Sequence, residues 1–533
     1  MHSSYLRTMF FNKHLVGSML LGVMVFLASC ASPKPPTGGL QDKEPPKIVE
    51  SESTPNHQTN FHEQRIMLTF DEWFTLKDVF SQVVISPLMP HDPDIKQKGK
   101  AVIITLPDSL REETTYTINF GSAIADLHEG NILQNYAFVF STGSVLDSAQ
   151  LSGRIINAVT LAPADGVLVM LYPTGEDSAV YLRKPEYVSR TNKEGKWSLS
   201  NIRADSFDVV ALKDENLNFL YDQDNELFGW FDHTIYTLTP KGVLPDISIF
   251  PKEKTIALRD VSQPLTGWMK LTIEGPAPKP LPLLVPSPED AVTVWDNDTL
   301  QVWYSPKMAY DGKAILGTDT IRIRPTTIAA STQKLTLQSI SGRLHPNASA
   351  VFTSRVALMH FDTSKIILLD DSSRVMTYDI HIDSVDRRML IMDARWRPNA
   401  RHALTLLPGA LRDAWDRTND TIRQSIIVNT TDQFGDLTIV VDGLDSMRSY
   451  VLLVKSGEKA VLTFRIDGQS TTRLHSGPMA PGKYGIEVIE DRNHNGIWDT
   501  GDYRKRRQPE RKRLYTPEPM RAAWELETTV TWQ

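Results

Sequence analysis

Oxygen-bearing side chains recur in Asp491-x-Asn493-x-Asn495-Gly496-Ile497-x-Asp499-x-x-Asp502. This is the spacing of a calcium loop. A hard cation takes six to eight oxygens, and side chains at positions 1, 3, 5, 9 and 12 can wrap one ion, with a backbone carbonyl (Ile497) at 7 and glycine at 6. Asp502 stands where a bidentate Glu is usual, so the expected affinity is modest. A second loop carries Asp214, Asn216, Asn218, Leu220 and Asp222, with Phe219 in place of the glycine and Glu226 one place late. It reads as a degraded copy. The competing reading is that these residues form Asx-turns and tolerate left-handed backbone with no ion. Both readings stay open at this stage.

Other chemistries find little support. The adjacent Asp71-Glu72 pair, placed on a strand, would point to opposite faces and share no substrate. No Gly-x-Ser-x-Gly, P-loop or Gly-x-Gly-x-x-Gly motif occurs, and the 13 histidines show no zinc spacing. The 11 tryptophans are scattered, as sandwich cores use them. The basic run Arg504-Lys505-Arg506-Arg507 with Arg511-Lys512-Arg513 reads as a solvated edge strand or turn, since charged edges deter aggregation. No catalytic residue is assigned.

Cys30 is the only cysteine. It follows a short basic segment (Arg7, Lys13) and an apolar run, Leu15 to Ala28, too short to span a bilayer. Leu27-Ala28-Ser29-Cys30 resembles a lipoprotein lipobox, which implies a signal peptide over 1–29 and acylation of Cys30 by palmitate-type chains. With two or more acyl chains anchoring is stable. An exported chain with no other thiol must rely on packing, not disulfides. Ala31 is not the aspartate that resembles an inner-membrane retention signal, so the expected location is the outer membrane, on its periplasmic face or the cell surface. Residues 30–46 are rich in Pro and Gly and read as a tether.

The elements that must hold the loops are short. Arg65 to Phe70, Val102 to Leu106, Thr115 to Phe120 and Tyr136 to Phe140 each read as strands. At 533 residues the chain should hold several domains, and its 41% hydrophobic content marks it as folded. A net charge of −7 argues against a nucleic-acid partner. The expected class is all-β, as tandem antiparallel β-sandwiches.

Two internal repeats support this. Tyr116 to Asp126 recurs as Ala403 to Asp413. Phe207 to Asp214 recurs as Tyr484 to Asp491, each running into an Asp-x-Asn-x-Asn loop. With Leu68-Thr69-Phe70-Asp71-Glu72, Thr115 to Gly121, Asp126, Phe138 to Gly143, Asp491 to Gly496 and Arg507 to Glu510, the chain resembles Bacteroidota lipoproteins with S-layer-type bacterial Ig-like domains. The resemblance implies Ig-like domains at 47–143 and 336–430. It implies transthyretin-like, carboxypeptidase-regulatory-type β domains at 149–250 and 434–533, with a β domain of unassigned type at 251–335. It implies no activity, because fold does not give function. Asp108-Ser109-Leu110, Asp147-Ser148-Ala149, Asp298-Thr299-Leu300, Asp319-Thr320-Ile321 and Asp420-Thr421-Ile422 also resemble an O-glycosylation tripeptide of that phylum.

The expected role is that of a non-enzymatic envelope lipoprotein, a spacer or a module binding envelope proteins or glycans. The alternative is an envelope hydrolase, or its substrate-binding subunit, acting on polysaccharide or peptide. Possible Ca2+ is the only cofactor expected.

Overall fold

The computed structural model describes residues 42–532, apart from 90, 108–109, 176, 238–240, 277, 331 and 340–341. Cys30, the 1–29 segment, tether residues 30–41 and the Asp108-Ser109 pair lie outside the described residues. The fold is nearly all β. Among the described residues α-helix occurs only as the four-residue turns Val79–Gln82 and Ala179–Leu182. No helix there is long and apolar enough to cross a membrane.

Two compact units are distinct. Among the described residues, one comprises 42–84 with Met89–Arg111 and Ile118–Thr142; the other comprises Ile85–Leu88, Glu112–Thr117 and those from Gly143 on. In the first, Arg65–Thr69 and Asp94–Lys98 flank Ala101–Thr105, all antiparallel. Ile66 and Leu68 alternate inward and are fully buried, as period-two patterning requires. They lie across from Ile104 and Val102, and Phe120, Phe138 and Phe140 are likewise buried. A separate two-strand ribbon pairs Phe74–Leu76 with Ile124–Asp126. Asp71 and Glu72 are not on a strand, contrary to expectation. They form the bend between Arg65–Thr69 and this ribbon, where Asp71 accepts the Lys47 N–H at 2.8 Å. The bend lets one extended run serve two sheets.

The second unit repeats these motifs. Tyr378–Ile382, Met389–Ala394 and Ala350–Thr353 pair in the order already seen, and Leu358–Phe361 pairs with Leu411–Asp413 as the matching ribbon. The stretches 149–251 and 435–531 also share one strand order. In the first, Leu168–Pro173, Ser206–Lys213 and Leu227–Trp230 are consecutive neighbours, and Ile247–Pro251 pairs in parallel with Ala149–Asn157. In the last, Ser449–Ser456, Gly485–Glu490 and Lys512–Tyr515 are neighbours, and Glu525–Thr531 pairs in parallel with Gly435–Asp442. Between them, Ala257–Leu265, Trp268–Glu274, Thr299–Trp303 and Val292–Asp296 form, in that order, a four-stranded antiparallel sheet accompanied by a small second sheet. The proline-dense stretch 275–288 links Trp268–Glu274 to Leu283–Val285 of that second sheet.

Candidate functional site

The loop after Gly485–Glu490 is built by its own carboxylates. Asp491 accepts the N–H groups of Asn495 at 3.1 Å and Gly496 at 2.8 Å. Asn495 Oδ1 accepts the Ile497 N–H at 2.9 Å. His494 and Gly496 adopt positive φ, 59° and 82°, the curl an Asx-turn series needs. The Nδ2 groups of Asn493 and Asn495 both reach Asp499 Oδ2, at 2.6 and 3.0 Å. The loop is closed by Glu510, 6% exposed, which accepts the Arg492 and Asp499 N–H groups at 2.7 and 2.9 Å.

The earlier loop has the same construction. Asp214 accepts the Leu217 and Phe219 N–H groups at 2.7 and 2.8 Å. Leu217 and Phe219 take φ of 60° and 65°, so Phe219 occupies the glycine conformation. Leu220 N–H donates to Asn218 Oδ1 at 2.7 Å, as Ile497 does to Asn495. Asn216 and Asn218 both donate to Asp222, at 3.1 and 2.8 Å. Glu226, fully buried, accepts the Asp222 and Gln223 N–H groups at 3.1 and 3.0 Å. Burial pushes both Glu226 and Glu510 above the usual carboxylate range, against the pull of these N–H groups.

One expected ligand is misplaced. Asp502 does not close the loop; it accepts the Lys505 N–H at 3.2 Å and pairs with the Lys505 ammonium at 3.0 Å. The turn after it carries the chain away, and Glu510 takes the closing role. Glu226 is therefore not a displaced ligand but the counterpart of Glu510, each just ahead of the next strand.

Asn493 Oδ1 accepts the Asn495 N–H at 3.2 Å as Asn495 Oδ1 accepts that of Ile497, so each amide is held with its oxygen on the backbone and its Nδ2 on Asp499. A cation here would have to displace those Nδ2 groups and draw on Asp491, Asn493, Asn495, the Ile497 carbonyl and Asp499, an all-oxygen set of the kind calcium takes. Among the described residues no three His, Cys, Asp or Glu side chains gather around a common metal position. Amide and carbonyl oxygens must complete any shell.

Beyond the loop, residues 500–508 dock on the 149–251 block. Tyr503, 8% exposed, packs against Phe228 and Trp230 at ring-centroid distances of 4.9 and 5.2 Å. Thr500 Oγ1 donates to the Pro251 carbonyl at 2.6 Å, and Gln508 Nε2 to Asp232 at 2.7 Å. A Cβ on Gly501 would lie 2.5 Å from the Phe250 ring, so only glycine fits. Arg507 pairs with Glu253 at 2.8 Å, and Arg506 pairs with Asp177 and covers the Tyr503 ring. The basic run is thus a turn whose arginines serve a domain joint, not a free edge. The counter-charges come from residues some 250–330 positions away, which spacing along the chain does not reveal.

A second joint forms at Trp415. Its Nε1 donates to the Gly267 carbonyl at 2.8 Å, and its ring packs with Val292, Val294, Trp303, Val356 and Ala357. Arg388 bridges to Asp296 at 3.2 Å across the same joint. Trp415 sits in the loop that follows buried Asp413, whose carboxylate accepts the Trp415 and Arg417 N–H groups at 2.9 and 3.0 Å. Asp126, the repeat partner of Asp413, accepts the His128, Gly130 and Asn131 N–H groups at 2.9, 2.8 and 2.9 Å. Both aspartates shape the loops that follow them.

A model of the bacterial Ig-like domain matches residues 42–142. No curated protein sequence matches the chain. Among solved structures it is similar to the MG0-NIE-MG1 domains of Escherichia coli alpha-2-macroglobulin, at 14% identity over 35% of this chain and 72% of that one, TM-score 0.18. It is similar to the Bacillus anthracis TIE protein, at 9% identity over 96% and 78%, TM-score 0.15. It is also similar to domains 1–6 of the surface layer protein SbsC, at 10% identity over 92% and 70%, TM-score 0.16. Likeness at this level says nothing about ligand or activity.

Proposed function

We propose that this chain is a lipid-anchored envelope protein whose tandem β domains act as a non-catalytic scaffold, meeting other envelope proteins or glycans through loops. The observation that carries the reading is the pair of joints in the second unit. Trp415 and Tyr503 each lock one β block to another with aromatic packing and hydrogen bonds. A spacer needs such stiffness, whereas an enzyme that closes on its substrate needs hinges. The Ig-like match over 42–142 supports an envelope setting. Anchoring rests on Cys30 and the residues before it. Replacing Cys30 with Ala should move the protein from the membrane fraction to the soluble one and abolish palmitate labelling. A wild-type protein that takes up no palmitate sinks the anchor, and turnover of an envelope substrate by the purified protein sinks the scaffold.

The loop at 491–499 is proposed to hold calcium through the oxygen set above, with Asp502 removed from it; the 214–222 loop is a weaker site of the same kind. A ligand bound only by the folded state adds about 2.7 kcal/mol at a hundredfold excess over Kd. Calcium should raise the melting temperature relative to chelator, and Asp499→Ala should remove most of that response. Identical melting with calcium and with chelator would leave both loops as ion-free Asx-turns.

A further inference from the structure

The ribbon that follows the bend in the first block and its counterpart in the 336–430 block share a register at their outer ends, although a bulge at Met359 shifts the second one further in. Phe74 pairs with Asp126 as Leu358 pairs with Asp413. Leu127 N–H donates to the Trp73 carbonyl at 3.1 Å, as Ala414 N–H does to the Ala357 carbonyl at 2.9 Å. Glu72, Trp73, Leu127 and His128 are therefore the counterparts of Val356, Ala357, Ala414 and Trp415. In the later block those four are packed in the joint at Trp415. In the first block the same surface is open: Trp73 is 54% and Leu127 50% exposed, with Ile132 beside them on the same ribbon. A surface built for docking is here enlarged with a tryptophan and a leucine, and it has no partner domain among the described residues.

What faces it follows from where the chain enters. Asn131 Nδ2, in the loop after Leu127, donates to the Asp42 carbonyl at 3.1 Å. The described chain thus begins at this end of the domain. Asp42 lies twelve positions after Cys30. That length of chain reaches at most about 40 Å. Acyl chains on Cys30 would hold this end within that distance of the bilayer, at high effective concentration. Tryptophan is the side chain that settles at the headgroup level, and leucine adds apolar area. Glu72 lies among the carboxylates of Asp42, Asp71, Asp126 and Glu129, and with Lys47 and Lys100 beside Asp71 the rim stays net acidic, which disfavours anionic headgroups. Burial, then Asp71 and Asp126, hold Glu72 above the usual carboxylate range, which eases its approach to a low-dielectric surface.

We infer that Trp73 and Leu127 form a membrane-facing tip that seats among the headgroups of a zwitterionic phospholipid leaflet. The inference rests on the anchor proposed above. The test uses the full acylated chain bound to phosphatidylethanolamine–phosphatidylcholine vesicles whose acyl chains carry bromine, a quencher of tryptophan fluorescence. Trp73 is one of 11 tryptophans, so the wild-type signal is read against Trp73→Phe, an exposed and conservative change. Brominated lipid should quench the wild type, and the variant should lose that quenching. Equal quenching in the two proteins, whether the tether or another protein covers the tip, overturns the inference. Vesicle flotation reads the anchor separately. A chain that does not float overturns the anchor and this inference with it; a floating chain with Trp73 unquenched overturns this inference alone. Adding phosphatidylglycerol should weaken the quenching, and quenching that strengthens instead overturns the choice of a zwitterionic surface.

Discussion

Replacing Trp415 with Ala is expected to uncouple the 257–323 block from the one that follows it, at a cost of about 3–5 kcal/mol. The indole is 8% exposed and fills the space between Val292, Val294 and Trp303 on one side and Val356 and Ala357 on the other. Truncation leaves a cavity there and removes the closer of two donors to the Gly267 carbonyl, leaving the Tyr304 N–H at 3.1 Å. The neighbours cannot collapse to heal it. Gly267 holds φ at 90°, and an added Cβ would already lie 2.8 Å from the indole nitrogen, so this backbone is shaped around the ring. Calorimetry should show a new transition at lower temperature. Trp73→Ala is the control: at 54% exposure it should shift stability by no more than about 0.5 kcal/mol. A Trp415→Ala protein that melts as the wild type does would mean the joint contributes no stability.

The second large effect is expected at Glu487. This carboxylate, 3% exposed on Gly485–Glu490, pairs with Lys455 and with Lys512, the latter at 2.8 Å and itself buried. Burial alone would raise it; hydrogen bonds from the two lysines more than offset that and hold it below the usual range. Glu487→Gln keeps the shape and strands two ammonium groups, one of them in the interior. Breaking a buried pair from one side costs about 3–5 kcal/mol. The sign with pH follows. A carboxylate held below its unfolded value of about 4.3 stabilises the fold above that pH, and the contribution disappears as pH falls through the lower folded value. Glu226 and Glu510, held above the usual range, act oppositely: what they contribute is present in acid and lost as pH rises through their folded values. Urea unfolding from pH 3 to 7 should therefore show a smaller gain with pH in Glu487→Gln than in the wild type. Parallel curves would exclude the triad as an acid-sensitive element.

Which parts of this could be read before any fold was known has a physical pattern. The all-β class was legible because half-buried strands such as Arg65–Thr69 alternate inward and outward residues. The repeats were legible because Asp126 and Asp413, like Asp214 and Asp491, shape their own local backbone, and local hydrogen bonds leave local sequence signatures. Glu510 was not legible, because it closes its loop from beyond a turn whose length is free. Asp71 and Glu72 were misplaced because a bend between two extended runs looks like continuous strand. The joints were the least legible. Nothing near Tyr503 announces Trp230, and nothing near Trp415 announces Gly267; the surfaces that cover these rings lie far off in the chain.

That remoteness bears on how the molecule is made. Thr500 and Pro251, joined at the Tyr503 contact, are 249 positions apart. Hairpins such as Ala257–Leu265 with Trp268–Glu274 can close early, but this seam must wait until everything between its partners has been synthesised and ordered. Until then Phe228, Trp230 and Tyr221 have no cover from Tyr503. A newly made or truncated chain ending before residue 500 would carry that sticky face into a crowded compartment, which makes partial folding products the form of this molecule most in need of a chaperone.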